Sequence, residues 1–247
     1  MSPRWKRYKR NFEHSYAFGV FPTLELLLQR PHKTLAVLVR TSGTSNEGIG
    51  KIRQISRQLG IPCELDDRKI ERLGARPNDY AVGIFAKGTE PLDDAADQIV
   101  LVRPSGMGNL GTIIRTMIGF GLHDLAIVEP AADPFDPQTV RASMGALFRM
   151  RLGFFPDFGS VFRSGARTFY PLMTDGERQF GEVSLATPCS LVFGNEGEGL
   201  EESFRQVGTT LRIPQSNEVD SLNLALAVGI GVYELARARR GGSTASA

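Results

Sequence analysis

The stretch QIVLVRPSGMGNLGTIIRTMIGFG, residues 98–121, runs from an apolar strand pattern through a glycine turn into an apolar-periodic helix. Glycines 106, 108 and 111 fit G-x-G-x-x-G, and Glu129 closes the next apolar run near the position of a ribose-binding acid. A dinucleotide-binding fold, and with it a nucleotide-dependent oxidoreductase, is one reading. The other is a tight turn into a helix N-terminus that serves a different ligand, since the spacing certifies only the turn. Asn109 sits at the helix start, where a side-chain amide can cap or hold a ligand. Arg115 follows about a turn and a half later, where close strand–helix packing gives it no purpose.

Outward from this stretch, strand and helix patterns alternate. Downstream come the strand DLAIVEP (124–130), a helix around QTVRASMGALF (138–148), the strand RMRLGFF (149–155) and the helix FGSVFRSGA (158–166). The strands TFYPLMT (168–174) and SLVFGNE (190–196), the helix LEESFRQVG (200–208), the strand TTLRIP (209–214) and a long helix over 221–240 complete it. This order predicts an α/β fold with a mostly parallel sheet and helices on both faces. Upstream, TLELLLQRP, IGKIRQISRQLG and DRKIERLGA read as helices, and TLAVLVRT, IPCELD and YAVGIFAK as strands. The expected organisation is a basic α/β domain over 1–88, an acidic, proline-containing linker over 89–97, a second domain over 98–240, and a disordered tail over 241–247.

Charge is uneven along the 247 residues. Residues 1–60 hold eleven Lys and Arg against three Asp and Glu, and the remainder eighteen against twenty-four. A net charge of +2 thus hides a basic front end, read either as a nucleic-acid surface or as a solubilising tail over residues 1–12. No apolar run reaches the roughly 18 residues of a membrane span, and no signal-peptide core follows the basic start. Cys63 and Cys189 lack a zinc spacing and read as reduced thiols of a cytoplasmic protein. No His/Cys/Asp/Glu cluster has metal-ligand spacing, so no metal is expected.

Two further stretches stand out. In LVFGNEGEGL (191–200) a buried-looking strand runs into three glycines within six residues, interleaved with Asn195, Glu196 and Glu198. Such a loop lets backbone approach a ligand closely beyond a strand's carboxyl end. In LRIPQSNEVDSLNLALAVGIGVYELARARR (211–240), a polar loop leads to Ser221 and Asn223 at an expected helix start. The helix beyond is nearly all apolar or small and must be covered on most faces, by the domain or by another subunit.

The stretch Asn109 to Arg115, together with FGNEGEGL and IPQSNEVDSLN, in this order, resembles the three motifs of the SpoU/TrmH family of RNA ribose 2′-O-methyltransferases, of the SPOUT class. VRASMGALF (140–148) is similar to the family's segment between the first two motifs. The resemblance covers roughly residues 98–238. More loosely, FGVFPTLELLL resembles the opening of the small ribosomal-protein-like RNA-binding domain that precedes the catalytic domain in many members. The resemblance implies a trefoil-knotted C-terminal domain, S-adenosylmethionine as methyl donor, and a homodimer in which the apolar C-terminal helix finds a partner. It implies Asn109, Arg115, Glu196, Ser221 and Asn223 as the reacting or orienting set. Gly194, Ile213, Gln215 and Leu222 are implied to hold the cofactor.

Guanidinium is protonated at all working pH values, so Arg115 is read as gripping the phosphate beside the target ribose rather than as a literal base. The expected substrate is ribosomal RNA, 23S in particular, ahead of tRNA. An antibiotic-resistance methyltransferase and a non-catalytic RNA-binding module stand as alternatives beside the oxidoreductase. Neither a membrane nor a metal is expected among the partners.

Overall fold

A computed structural model of the chain describes residues 5–163 and 167–242. The chain divides into two units, one of Met1–Gly88 with Asp133–Arg149, the other of Thr89–Ala132 with Met150–Ala247.

The first unit opens with β1 (His14–Phe18), α1 (Val20–Gln29), β2 (Thr34–Val39), α2 (Glu47–Gln58), β3 (Cys63–Leu65), α3 (Asp67–Arg72) and β4 (Ala81–Ala86). Its sheet has the order β1-β4-β2-β3, mixed in direction, with β1 antiparallel to β4 and β3 parallel to β2. Asn46 and Asp66 cap α2 and α3, each accepting from the helix's first free amides. Strand β1 is absent from the sequence reading, because HSYAF mixes polar and apolar residues over only five positions. In the sheet Tyr16 and Phe18 join the core with Leu38, Ile70 and Ile84, and the Ser15 hydroxyl donates to the Phe135 carbonyl at 2.5 Å.

The second unit begins with β5 (Gln98–Val102), α4 (Met107–Gly119) and β6 (Asp124–Val128). The chain then passes through Asp133–Arg149, which contains α5 (Pro137–Ala142), and returns with β7 (Arg151–Phe155), α6 (Phe158–Arg163) and β8 (Thr168–Pro171). The two-residue β9 (Arg178–Gln179), β10 (Cys189–Phe193), the two-residue β11 (Leu211–Arg212) and α7 (Leu224–Gly242) follow. The main sheet is parallel throughout, in the order β7-β6-β5-β10-β8. Every residue of β5, β6 and β10 is buried, as their continuous apolar runs require. Val100, Val102, Ala126, Val128 and Val192 face Val161 of α6 and Phe204. On the other face α7 packs on α4 and β10, where a Cβ at Gly231 would stand 2.8 Å from the Phe193 ring. Helices therefore cover both faces of a parallel sheet.

Several expectations are corrected. Residues 138–148 are not one helix: α5 ends at Ala142, Met144 and Gly145 take positive φ, and a 3-10 turn spans Ala146–Arg149. This segment groups with the first unit, not with the second domain, because Phe148 packs edge-on against Phe85 and Arg141 grips the buried Asp79 carboxylate with two bonds of 2.8 Å. The expected linker over 89–97 groups with the second unit: the Thr89 hydroxyl donates to the Leu152 carbonyl and the Asp93 amide to Asp124. LEESFRQVG is a 3-10 turn over Glu202–Gln206, and TTLRIP keeps only two strand residues. The last helix starts at Leu224, three residues late, because Asn223 is its cap and not its first turn. That helix reaches Gly242, against the expected tail from 241; residues 243–247, like 1–4 and 164–166, lie outside the described residues. Residues 5–12 are no loose tail, since Trp5 and Tyr8 pack on the sheet's core.

Candidate active site at the carboxyl end of the parallel sheet

Strand order reverses between β5 and β10. From β5 the chain winds outward through β6 and β7, then returns to the opposite edge with β8. Ligands of open α/β sheets bind at the carboxyl end of such a switch point. Here the loop after β10 meets the loop after β5.

Glu196 makes the junction. One carboxylate oxygen, Oε2, accepts from the Ser105 amide and hydroxyl, both at 2.9 Å; the other, Oε1, accepts from the Gly106 amide at 2.9 Å and Asn109 Nδ2 at 3.1 Å. Burial opposes its charge, but the donors from Ser105, Asn109 and Gly106 prevail and bring its pKa from 4.5 down to about 2. Gly106 is glycine because a Cβ there would lie 2.9 Å from Glu196 Oε1 and 3.0 Å from Asn109 Nδ2. The glycine of the dinucleotide-like spacing thus admits a protein carboxylate. Within this chain the loop amides that could cradle a pyrophosphate already hold Glu196.

The network continues. Asn223 donates from Nδ2 to Asn109 Oδ1 at 3.2 Å, and its Oδ1 accepts the amides of Ala225 and Leu226 at the start of α7. The Glu196 loop is closed on itself by reciprocal backbone bonds between Asn195 and Gly199. Asn195 also accepts from the Gly197 amide and donates to the Arg103 carbonyl at 2.6 Å. Gly194 permits the closure: a Cβ would stand 2.1 Å from the Gly199 carbonyl carbon.

A cavity of about 330 Å³ opens beside this loop. Gly194, Glu196, Ile213, Gln215, Ser221 and Leu222 all line it, so six of the nine site residues read from the sequence converge. Asn109 and Asn223 join them through the hydrogen bonds above. Arg115 does not: it lies exposed on α4, about 120° around the helix from Asn109, and among the described residues bonds to none of the others. Sequence reasoning missed Ser105, which gives Glu196 two of its four donors, and the walls Leu172, Met173 and Asp220. Nothing local marks them, since β8 and the loop before α7 are brought there by the sheet order. Among the described residues no group of His, Cys, Asp and Glu is arranged to hold a metal, and no helix is long and apolar enough to cross a membrane.

Residues 97–233, which hold both loops and the cavity, match the SpoU rRNA Methylase family. The chain belongs to this family. Among SpoU relatives, it is 34% identical over 159 residues to a 23S rRNA (uridine(2479)-2′-O)-methyltransferase of Streptomyces viridochromogenes, covering 60% of this chain and 55% of that one. It is 31% identical over 150 residues to an uncharacterized tRNA/rRNA methyltransferase of Synechocystis, covering 59% and 55%. The alignments thus span just over half the length of these two curated relatives. The solved structure of an AdoMet-bound rRNA methyltransferase from Sinorhizobium meliloti superposes with a TM-score of 0.77 at 28% identity, over 93% of this chain and 88% of that one. The fold described above is therefore shared with this solved structure over nearly the whole chain.

Proposed function

We propose that the chain transfers a methyl group from S-adenosylmethionine to a ribose 2′-hydroxyl in ribosomal RNA. The observation that carries this reading is the Glu196 junction, which ties the second motif to the first and, through the Asn109–Asn223 bond, to the third beside one cavity. The names of the relatives favour ribosomal RNA, and 23S rRNA in particular, over tRNA.

The cavity fits the donor on its own chemistry. Apolar Leu172, Ile213 and Leu222 offer walls for an adenine, glycine and loop backbone offer close polar contacts, and carboxylates of Glu198 and Asp220 suit a cationic ligand. Gly194, Ile213, Gln215 and Leu222 would hold it. When bound, this donor supplies a methyl group already activated by a sulfonium. The protein has then to position a weak nucleophile and ease the loss of its proton. Glu196, ionised throughout the physiological range, holds the Ser105–Gly106 loop and fixes which end of the Asn109 amide faces Asn223. Ser221 presents a hydroxyl at the cavity edge. Arg115 grips the phosphate beside the target ribose with its planar fork, and that phosphate or water takes the proton.

The enzyme acts as a cytoplasmic homodimer through α7. Leu226, Ile230 and Tyr233 recur at i, i+4 and i+7 on that helix with 63%, 39% and 51% of their surface exposed, an apolar stripe suited to a second copy. The resemblance also implies the trefoil knot in this unit.

The test is a pair of measurements. Calorimetry compares S-adenosylhomocysteine with NAD, and 2′-O-methylation of ribosomal RNA is mapped in cells with and without the gene. Binding of the homocysteine and loss of one methylated ribose are expected. Binding of NAD alone would restore the oxidoreductase reading.

A further inference from the structure

The segment WKRYKRNFEH, residues 5–14, interleaves cations with aromatic rings. It is built into the first unit. The Tyr16 hydroxyl donates to the Lys6 carbonyl, the Tyr8 hydroxyl donates to Asp133, and Lys87 Nζ donates to the Arg10 carbonyl at 2.7 Å. Between these ties the rings form a column: Trp5 meets His14 edge-on at 5.0 Å, and Phe12 stacks on His14 at 5.2 Å with 22° between planes. Trp5, Phe12 and His14 are each only partly buried. Burial, and then the nearby Lys87, lower the pKa of His14, which keeps its ring neutral and able to stack. Lys6, Arg7 and Lys9 are exposed, and among the described residues none of them meets a carboxylate.

A solubilising tail needs neither backbone ties nor a stacked column. A membrane anchor needs rings free to insert several ångströms into the headgroup layer, whereas Trp5 packs on the sheet's core and Phe12 on His14. Exposed cations running beside partly exposed aromatic rings match the requirement for a flexible polyanion whose units carry flat rings. Paired bases hide those faces, so the fit is to unpaired nucleotides.

We infer that the strip Trp5–His14 binds an unpaired stretch of RNA, with phosphates along Lys6, Arg7 and Lys9 and bases extending the Trp5, Phe12 and His14 column. The inference rests on the reading of the chain as an RNA methyltransferase and adds where an unpaired strand of the substrate is held.

Trp5 is the sole tryptophan of the chain, so its fluorescence reports on this site directly. The full chain is titrated at several salt concentrations with a 12-nucleotide oligouridylate, a blunt RNA duplex of the same length, a heparin fragment, and phosphatidylserine vesicles. Oligouridylate is expected to quench Trp5; duplex and heparin are expected not to, even where they bind. Trp5→Ala should weaken oligouridylate binding by about tenfold, as loss of one stacked base does. Lys6→Glu with Lys9→Glu, exposed positions that do not threaten folding, should weaken it too and make log K against log salt shallower by about 1.4. Undiminished affinity for S-adenosylhomocysteine checks the second unit, and an unchanged urea-unfolding transition checks that the unit holding the strip is folded.

Wild-type RNA binding with unmoved Trp5 fluorescence and unaffected variants overturns the strip assignment alone. So does equal quenching by the duplex, and so does a response to vesicles only. Absence of any RNA binding overturns it as well. The methyltransferase reading is judged separately, by methyl transfer to a ribosomal RNA transcript in the same preparation.

Discussion

Asn223 is bonded in two directions, donating from Nδ2 to Asn109 Oδ1 at 3.2 Å and accepting the Ala225 amide on Oδ1 at 2.9 Å. One side chain therefore starts helix α7 and orients the amide that faces Glu196. The two roles separate by mutation. Asn223→Ala should lose the cap, about 1 kcal/mol, and lower Tm by roughly 2–4 °C. Asn223→Asp should keep the cap and the Tm but deprive Asn109 of its donor. Methyl transfer should fall on the order of tenfold or more in both. An active Asn223→Asp would show that the contact to Asn109 has no part in the reaction.

Arg115 stands apart from the bonded set, with its guanidinium exposed on α4. If it grips RNA phosphate, Arg115→Ala should abolish methyl transfer while leaving S-adenosylmethionine affinity unchanged, since no residue proposed to hold the cofactor touches it. Arg115→Lys keeps the charge but not the fork, and should be nearly as inactive, because misplacement by about 1 Å costs roughly a hundredfold. Near-normal turnover of both variants would remove Arg115 from the mechanism.

Glu196 titrates at about 2 instead of 4.5. A carboxylate whose folded pKa is depressed stabilises the fold fully above its unfolded value and loses that contribution as pH falls through the folded one. The window is therefore from about pH 4.5 down to about 2. Glu196→Gln should lower Tm at pH 6, and the gap from wild type should narrow as pH falls through this window. A gap constant from pH 6 to pH 3 would mean that the charge contributes nothing.

Asp79 keeps 3% of its side-chain surface exposed and leans on Arg141. Burial resists its charge, and the bonds from Arg141 and the Arg76 amide overcome this and lower its pKa. Arg141→Met strands that charge and should cost about 3–5 kcal/mol in urea unfolding. The double variant with Asp79→Asn should recover much of the loss. A single-variant cost below about 1 kcal/mol would show that Arg76 suffices.

Leu226 is 63% exposed on α7. Leu226→Glu should convert a dimer to monomer, read by light scattering at micromolar concentration. A wild type that scatters as a monomer contradicts the proposed interface.

What could be read in advance follows from where the information lies along the chain. Strands β5, β6 and β10 are legible because burial on both faces forces unbroken apolar runs, and the glycine loops because only a tight turn tolerates such density. Strand β1 was not, since His14 and Ser15 look polar until Tyr8, Trp5 and Phe135 are seen around them. The meeting of Glu196 with Ser105 was equally hidden: ninety-one residues separate them, and only the reversal of strand order between β5 and β10 makes them neighbours. The start of α7 is not legible because Ser221 and Asn223 are both good caps in sequence, and Asn223 is the one bonded to Asn109 on another helix.

The placement of Asp133–Arg149 in the first unit has a consequence for synthesis. Domains tend to fold in the order in which they leave the ribosome. Here the N-terminal unit stays unfinished after Gly88 has emerged, because Asp79 waits for Arg141 and Phe85 for Phe148. By the time Arg141 emerges, β5, α4 and β6 are already outside. Once β6 is out, and until Arg149 emerges, the nascent chain carries two incomplete hydrophobic cores at once, and a chain arrested after β6 and before Arg149 has emerged would expose both to chaperones.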